Sequence, residues 1–121
     1  MLKACALGAS LLLATVGMSS AEIGRWTSAH PVYPAILYEG DIRRETVAEF
    51  RDMLSRYPET TMIALNSSGG SVYAALDIAL EIDRLGLNTV VMQNNICFSA
   101  CSLIFFAGHT RYAVGELGVH Q

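Results

Sequence analysis

At 121 residues and 52% hydrophobic, the chain can bury one core in one domain, and its composition excludes a disordered protein. Its formal net charge is −3 and its cations are scattered, which excludes the basic footprint of a nucleic-acid binder. Only Arg43-Arg44 stand together, and they read as a solvated helix start.

The first 21 residues read as an export leader. Lys3 supplies a positive start, Cys5 to Met18 is apolar and small, and Ser19-Ser20-Ala21 fits the small-x-small rule, with cleavage after Ala21. The run is short for a membrane span, so attachment to a membrane is expected only if the leader stays uncleaved. The mature chain is expected to be periplasmic or secreted. Lys3 is the one lysine and leaves with the leader.

Residues 22–34 carry Trp26, His30, Pro31 and Pro34 without periodicity and read as an N-terminal arm. The domain proper is expected over residues 35–121. Ala35 to Tyr38 is a short strand closed by Glu39-Gly40-Asp41. Val47, Phe50, Leu54 and Tyr57 recur at helical spacing until Pro58, and Asp52 and Arg56 can pair across one turn. Thr60 to Leu65 is apolar enough for a strand buried on both faces. After Asn66-Ser67-Ser68-Gly69-Gly70-Ser71 comes a helix with Val72, Leu76, Ala79 and Ile82 inward, ended by Leu85-Gly86. Asn88 to Met92 is a strand, and Asn94-Asn95 turns the chain. A short buried helix follows Ser99 and is capped at Gly108. Thr110 to Val114 and Leu117 to His120 are strands. Strands alternating with helices predict an α/β domain with a largely parallel sheet.

With Cys5 lost, Cys97 and Cys101 remain. In an oxidising compartment an even pair points to a disulfide, and on a helix their Cα atoms would lie roughly 6 Å apart, within disulfide reach. Free thiols are one alternative. A metal site is another, but two thiolates make half a zinc shell, and His109 and His120 would have to converge on them; no metal is expected.

Two stretches carry chemistry. Gly69-Gly70 follows a strand, where α/β sheets collect ligands and where glycine lets the backbone approach a substrate. The spacing fits neither a phosphate loop nor a dinucleotide fingerprint, which leaves an oxyanion hole of backbone N–H groups. Its bland counterpart is a glycine turn with Ser71 capping the next helix. Asn66-Ser67-Ser68 also matches an N-glycosylation sequon, a frequent coincidence. Ser99 opens the next helix, where free N–H groups and the positive end of the dipole favour negative charge, although serine there is also a common N-cap. Ala100 offers a second N–H, and His120 completes a nucleophile, a base and a hole, the set that acyl transfer needs.

Leu65 to Ser71, Cys97 to Ala100, Ala107-Gly108-His109-Thr110-Arg111-Tyr112 and Gly118-Val119-His120-Gln121 resemble the Clp protease proteolytic-subunit (ClpP) superfamily, above all its exported, periplasmic branch. The resemblance covers residues 35 to 121. It implies a crotonase-like fold of stacked β-β-α units, incomplete at its C-terminal end. It implies a serine peptidase that hydrolyses peptide bonds through an acyl-enzyme on Ser99, with His120 as general base and Gly69, Gly70 and Ala100 forming the oxyanion hole. Peptide or protein substrates and self-association follow from the same likeness, with no cofactor and, outside the cytoplasm, no ATPase partner. Ser68 stands where the family has Pro, and the family's third residue, an Asp, is expected downstream, since Asp77 and Asp83 sit on an outer helix face. Two other readings remain open: a non-catalytic exported binding or assembly domain, and a Ser–Lys enzyme of the signal-peptide-peptidase type whose lysine lies beyond this sequence.

Overall fold

Trp26 ties the start of the chain to its core. The structure is a computed structural model that describes residues 24–119; the leader, its cleavage site and His120 fall outside those residues. The arm expected over 22–34 contains a strand, β1 (Arg25–Ser28), antiparallel to β2 (Ala35–Glu39). The Trp26 ring stacks on Phe50 at 4.7 Å between centroids, tilts against Tyr38 at 4.8 Å, and donates through Nε1 to the Thr46 carbonyl at 3.2 Å. This packing, rather than any alternation in sequence, holds an otherwise exposed strand against the sheet.

Helix α1 spans Arg44–Arg56 and buries Val47, Phe50 and Met53. It begins before the first apolar residue because Thr46 Oγ1 accepts from the Arg43 N–H at 2.9 Å. Pro58 follows its last turn. The Asp52–Arg56 pair forms at 2.7 Å in solvent, where it contributes little. Strand β3 (Met62–Asn66) has Ile63, Ala64 and Leu65 buried in succession, as a strand covered on both faces requires.

Helix α2 (Val72–Leu85) opens with Ser71 Oγ accepting from the Ala74 N–H at 3.2 Å and ends at Gly86, whose φ of 65° is left-handed. Its buried face is Ala74, Ala75, Ile78, Ala79 and Ile82. The expectation that Val72 and Leu76 point inward is corrected: both are exposed. The alanines decide this, because their small side chains let the helix approach its neighbours closely, and the packing face turns toward them.

Strands β4 (Asn88–Val91) and β6 (Arg111–Ala113) complete a five-stranded sheet in the order β1-β2-β3-β4-β6, parallel from β2 onward. Right-handed crossovers that all step the same way place the helices on one face. There α1 packs on α2, and α2 on α3 (Ala100–Phe106). A second, two-stranded sheet pairs β5 (Ile96–Phe98) in parallel with β7 (Glu116–Gly118). A bridge between Ser67 and Cys97 joins it to the end of β3. The mixed, largely parallel α/β class expected from the strand–helix alternation is the class observed.

Candidate functional site

The end of β3 and the start of α3 meet at one edge of the sheet. Ser67 N–H donates to the Ile96 carbonyl at 2.9 Å, and Phe98 N–H to the Ser67 carbonyl at 3.0 Å. Ser67 Oγ then accepts from the Gly69 N–H at 3.1 Å and folds the loop back. Asn66 is used up in the same scaffold: its Oδ1 accepts from Ile96 N–H at 3.1 Å and its Nδ2 donates to Glu39 at 3.4 Å. An amide so engaged is not a free glycosylation acceptor.

The two glycines that follow have φ of 118° and 138°, values that side-chain-bearing residues rarely adopt. Gly69 lies against the α3 turn. A Cβ placed on it would stand 2.9 Å from Ser99 Cβ and 3.3 Å from the Ala100 nitrogen. Gly70 is held from the other side, where Ile42 N–H donates to the Gly69 carbonyl at 2.8 Å and Ser71 N–H to the Ile42 carbonyl at 2.9 Å. Gly70 N–H and Ala100 N–H have no acceptor among the described residues. Ala100 is buried. A buried backbone donor without an acceptor is uncommon, since it forfeits water and gains nothing in return.

Ser99 occupies the turn itself with φ 55° and ψ −126°, a conformation normally left to glycine. Its N–H donates to the Gly118 carbonyl at 3.0 Å, and its carbonyl accepts from Ser102 Oγ at 2.6 Å and from Ser102 N–H at 2.9 Å. Its own hydroxyl makes no capping bond. Cysteines 97 and 101 form a disulfide across the turn, with Cα atoms 5.2 Å apart and both side chains fully buried. They do not lie one helical turn apart. One ends in β5 and the other begins α3, so the bond closes a strand-to-helix corner around Ser99. A metal held by these thiolates is thereby ruled out, and among the described residues no cluster of three ligating side chains exists.

A strained serine whose hydroxyl has no structural partner among the described residues is stabilised by removing its Cβ. Ser99→Gly is expected to raise stability by about 1 kcal/mol, while Ser99→Ala, which keeps the Cβ, leaves it nearly unchanged. Urea denaturation of the two variants measures the difference; a destabilised Ser99→Gly protein contradicts the strain.

Of the residues singled out from sequence, the structure brings Gly69, Gly70, Ser99, Ala100, Cys97 and Cys101 together. His120 lies outside the described residues. His109 follows the far end of α3, ~10 Å along a seven-residue helix from Ser99. Asp77 and Asp83 are exposed on α2. Missed from sequence was the stapling role of Ile42, which no local pattern marks.

No protein-family profile matches the chain, and no curated protein matches it. Solved structures do. A methylmalonyl CoA decarboxylase is similar over 78% of this chain and 46% of its own, with a TM-score of 0.51 and 12% identity. A structure described as an enoyl-CoA hydratase from Streptomyces coelicolor A3(2) matches over 81% of this chain and 46% of its own, with a TM-score of 0.47 and 12% identity. The chain thus spans about half the length of each. The serine peptidase expectation is corrected here. The fold match is to a CoA decarboxylase and not to a peptidase, and among the described residues no base stands in hydrogen-bond contact with the Ser99 hydroxyl. What the comparison shows is architecture: the chain has a crotonase-like α/β fold.

Proposed function

We propose that the Gly70 and Ala100 N–H groups hold the carbonyl oxygen of an acyl substrate and stabilise the negative charge that develops on it, and that the substrate class is an acyl thioester. The observation that carries this reading is the buried Ala100 N–H, without an acceptor among the described residues, beside Gly69, whose missing Cβ lets the loop lie close against the Ser99 turn. Two fixed donors aimed at one oxygen stabilise an oxyanion more than a neutral carbonyl, because a charged acceptor strengthens each bond and no donor has to reorganise. The thioester class is supported by the fold match to a CoA decarboxylase. Placement in an exported ClpP-like branch is a proposal of descent that rests on the four sequence segments and brings no peptidase activity with it. An exported setting is part of the same proposal. It is supported by the leader-like residues 1–21 and by the Cys97–Cys101 bond, which an oxidising compartment favours.

Isotope-edited infrared spectroscopy tests the reading. The carbonyl stretch of a ¹³C-labelled acyl thioester is expected to move to lower frequency on binding, as two N–H donors weaken the C=O bond. An acyl-CoA and the corresponding N-acetylcysteamine thioester, which lacks the nucleotide, separate recognition of the acyl group from recognition of CoA. Binding of neither, or binding with an unshifted carbonyl, overturns the proposal.

A further inference from the structure

The Cys97–Cys101 bond acts on one corner rather than on the whole domain. It joins residues only 4 apart in sequence, and so short a loop removes less freedom from the unfolded chain than a long one. What it encloses is Phe98, Ser99 and Ala100. Cys97 is fixed in β5 by pairing with β7 and by the bridge to Ser67, while Cys101 lies in the first turn of α3. The peptide between Ser99 and Ala100 is trans, so the Ser99 carbonyl and the Ala100 N–H point in opposite directions. Ser102 holds the carbonyl on one side, through its N–H at 2.9 Å and its Oγ at 2.6 Å. The N–H is thereby left on the other, beside Gly69. Two features favour turning this plane over: the φ of 55° at Ser99 and the Ala100 N–H without an acceptor among the described residues. The plane before it cannot yield, because Ser99 N–H is bonded to the Gly118 carbonyl at 3.0 Å within the β5–β7 sheet. Only the two Ser102 bonds and the disulfide oppose the turn.

We propose that the Cys97–Cys101 bond is a redox switch that sets which way the 99–100 peptide faces. Oxidised, the corner keeps the Ala100 N–H toward Gly69; reduced, Ser99 relaxes toward negative φ and the N–H swings away. That this opens and closes the carbonyl site rests on the function proposed above; the state of the peptide does not. A dithiol supplies the two electrons. Its thiolate attacks one cysteine sulfur and the S–S bond breaks. Its second sulfur then releases the mixed disulfide, so that the reductant leaves as a disulfide and its two protons end on Cys97 and Cys101. Both sulfurs belong to fully buried residues, so attack follows local opening of the corner.

Dithiothreitol treatment with thiol counting, read by NMR of the ligand-free protein, tests the switch. Reduction is expected in the folded protein. Hydrogen exchange at the Ser102 amide then quickens ~10-fold or more and the Ser99 carbonyl and Ala100 amide resonances move, while the β2 and β3 amides keep their protection. A nitronate analogue of an acyl thioester is expected to bind the reduced protein ~10-fold or more weakly. A protein that ignores the nitronate in both states but shows the amide change overturns the acyl reading and supports the switch. Ser99→Gly separates a switch from a plain brace: glycine carries φ 55° without strain, so reduction is expected to alter its Ser102 exchange less than ~3-fold. A reduced wild type that unfolds while reduced Ser99→Gly stays folded also supports the proposal. A bond that resists the reductant, Ser99 and Ser102 signals unmoved by reduction, or the same response in wild type and Ser99→Gly, unfolding of both included, overturns it.

Discussion

Ala100→Pro is expected to weaken binding of an anionic carbonyl mimic, such as a nitronate analogue of an acyl thioester, by roughly 10²-fold to 10³-fold, the range seen when one oxyanion donor is removed. The neutral thioester is expected to lose less than the anion, because one hydrogen bond to an uncharged carbonyl contributes only about 0.5–1.5 kcal/mol, while the proline Cδ that replaces the N–H crowds both ligands alike. Proline suits the test because Ala100 is the first residue of α3, where proline's φ is already helical and no intrahelical bond needs its N–H. The substitution thus deletes the donor and spares the helix. Ala100→Gly keeps the donor and is the control. Isothermal titration with the two ligands, alongside thermal denaturation of each variant, gives the comparison. Equal losses for both ligands in a stable Ala100→Pro protein mean that the N–H packs beside the ligand without receiving charge.

The elements of this fold differ in how far the sequence alone could place them. Helix α1 was readable because its apolar spacing, its stop at Pro58 and its surface charges agree. Helix α2 was readable in extent, since Ser71 caps one end and Gly86 the other, but not in orientation. Val72 and Leu76 score as more hydrophobic than Ala74 and Ala75, yet close approach favoured the alanines. Strand β5 was invisible for a different reason. Three residues carry no period, and Ile96–Phe98 is extended because Ser67 and Glu116–Gly118, far away in sequence, pair with it. The backbone of Ser99 follows from the same non-local pairing. With β5 fixed on one side, α3 on the other and a disulfide across the corner, the residue between them has one conformation available.

Function was less legible than fold. The glycine pair, Ser99 and the cysteines were found as motifs, and the structure brings them together. The chemistry attached to them came from resemblance, and one fold can host unrelated reactions on the same scaffold. A nucleophile needs a base in contact, and among the described residues, which leave out His120, neither His109 nor the α2 carboxylates stand there. Two N–H groups without an acceptor among the described residues do not depend on such a base, which is why carbonyl binding, and not peptide hydrolysis, is the function proposed.

Gly70→Ala is expected to cost about 3–5 kcal/mol, a large share of the stability of a domain this size. Its φ of 138° is strained for alanine, at about 1–3 kcal/mol. The new Cβ would also stand 2.2 Å from the Ile42 carbonyl oxygen and 2.8 Å from the Ile42 nitrogen. Those backbone atoms make the two bonds that staple residue 42 to the loop, from Ile42 N–H to Gly69 and from Ser71 N–H to Ile42. Relief of the clash breaks both, at about 0.5–1.5 kcal/mol each. Gly69→Ala differs in kind. Its φ of 118° is strained too, but its Cβ meets Ser99 Cβ at 2.9 Å and the Ala100 nitrogen at 3.3 Å, which fills the carbonyl site without unstapling the loop. The expected result is a split: Gly70→Ala lowers the urea midpoint more, while Gly69→Ala remains the more stable of the two and loses the nitronate ligand. A Gly69→Ala protein that binds the ligand as tightly as the wild type places the acyl carbonyl somewhere other than between these two loops.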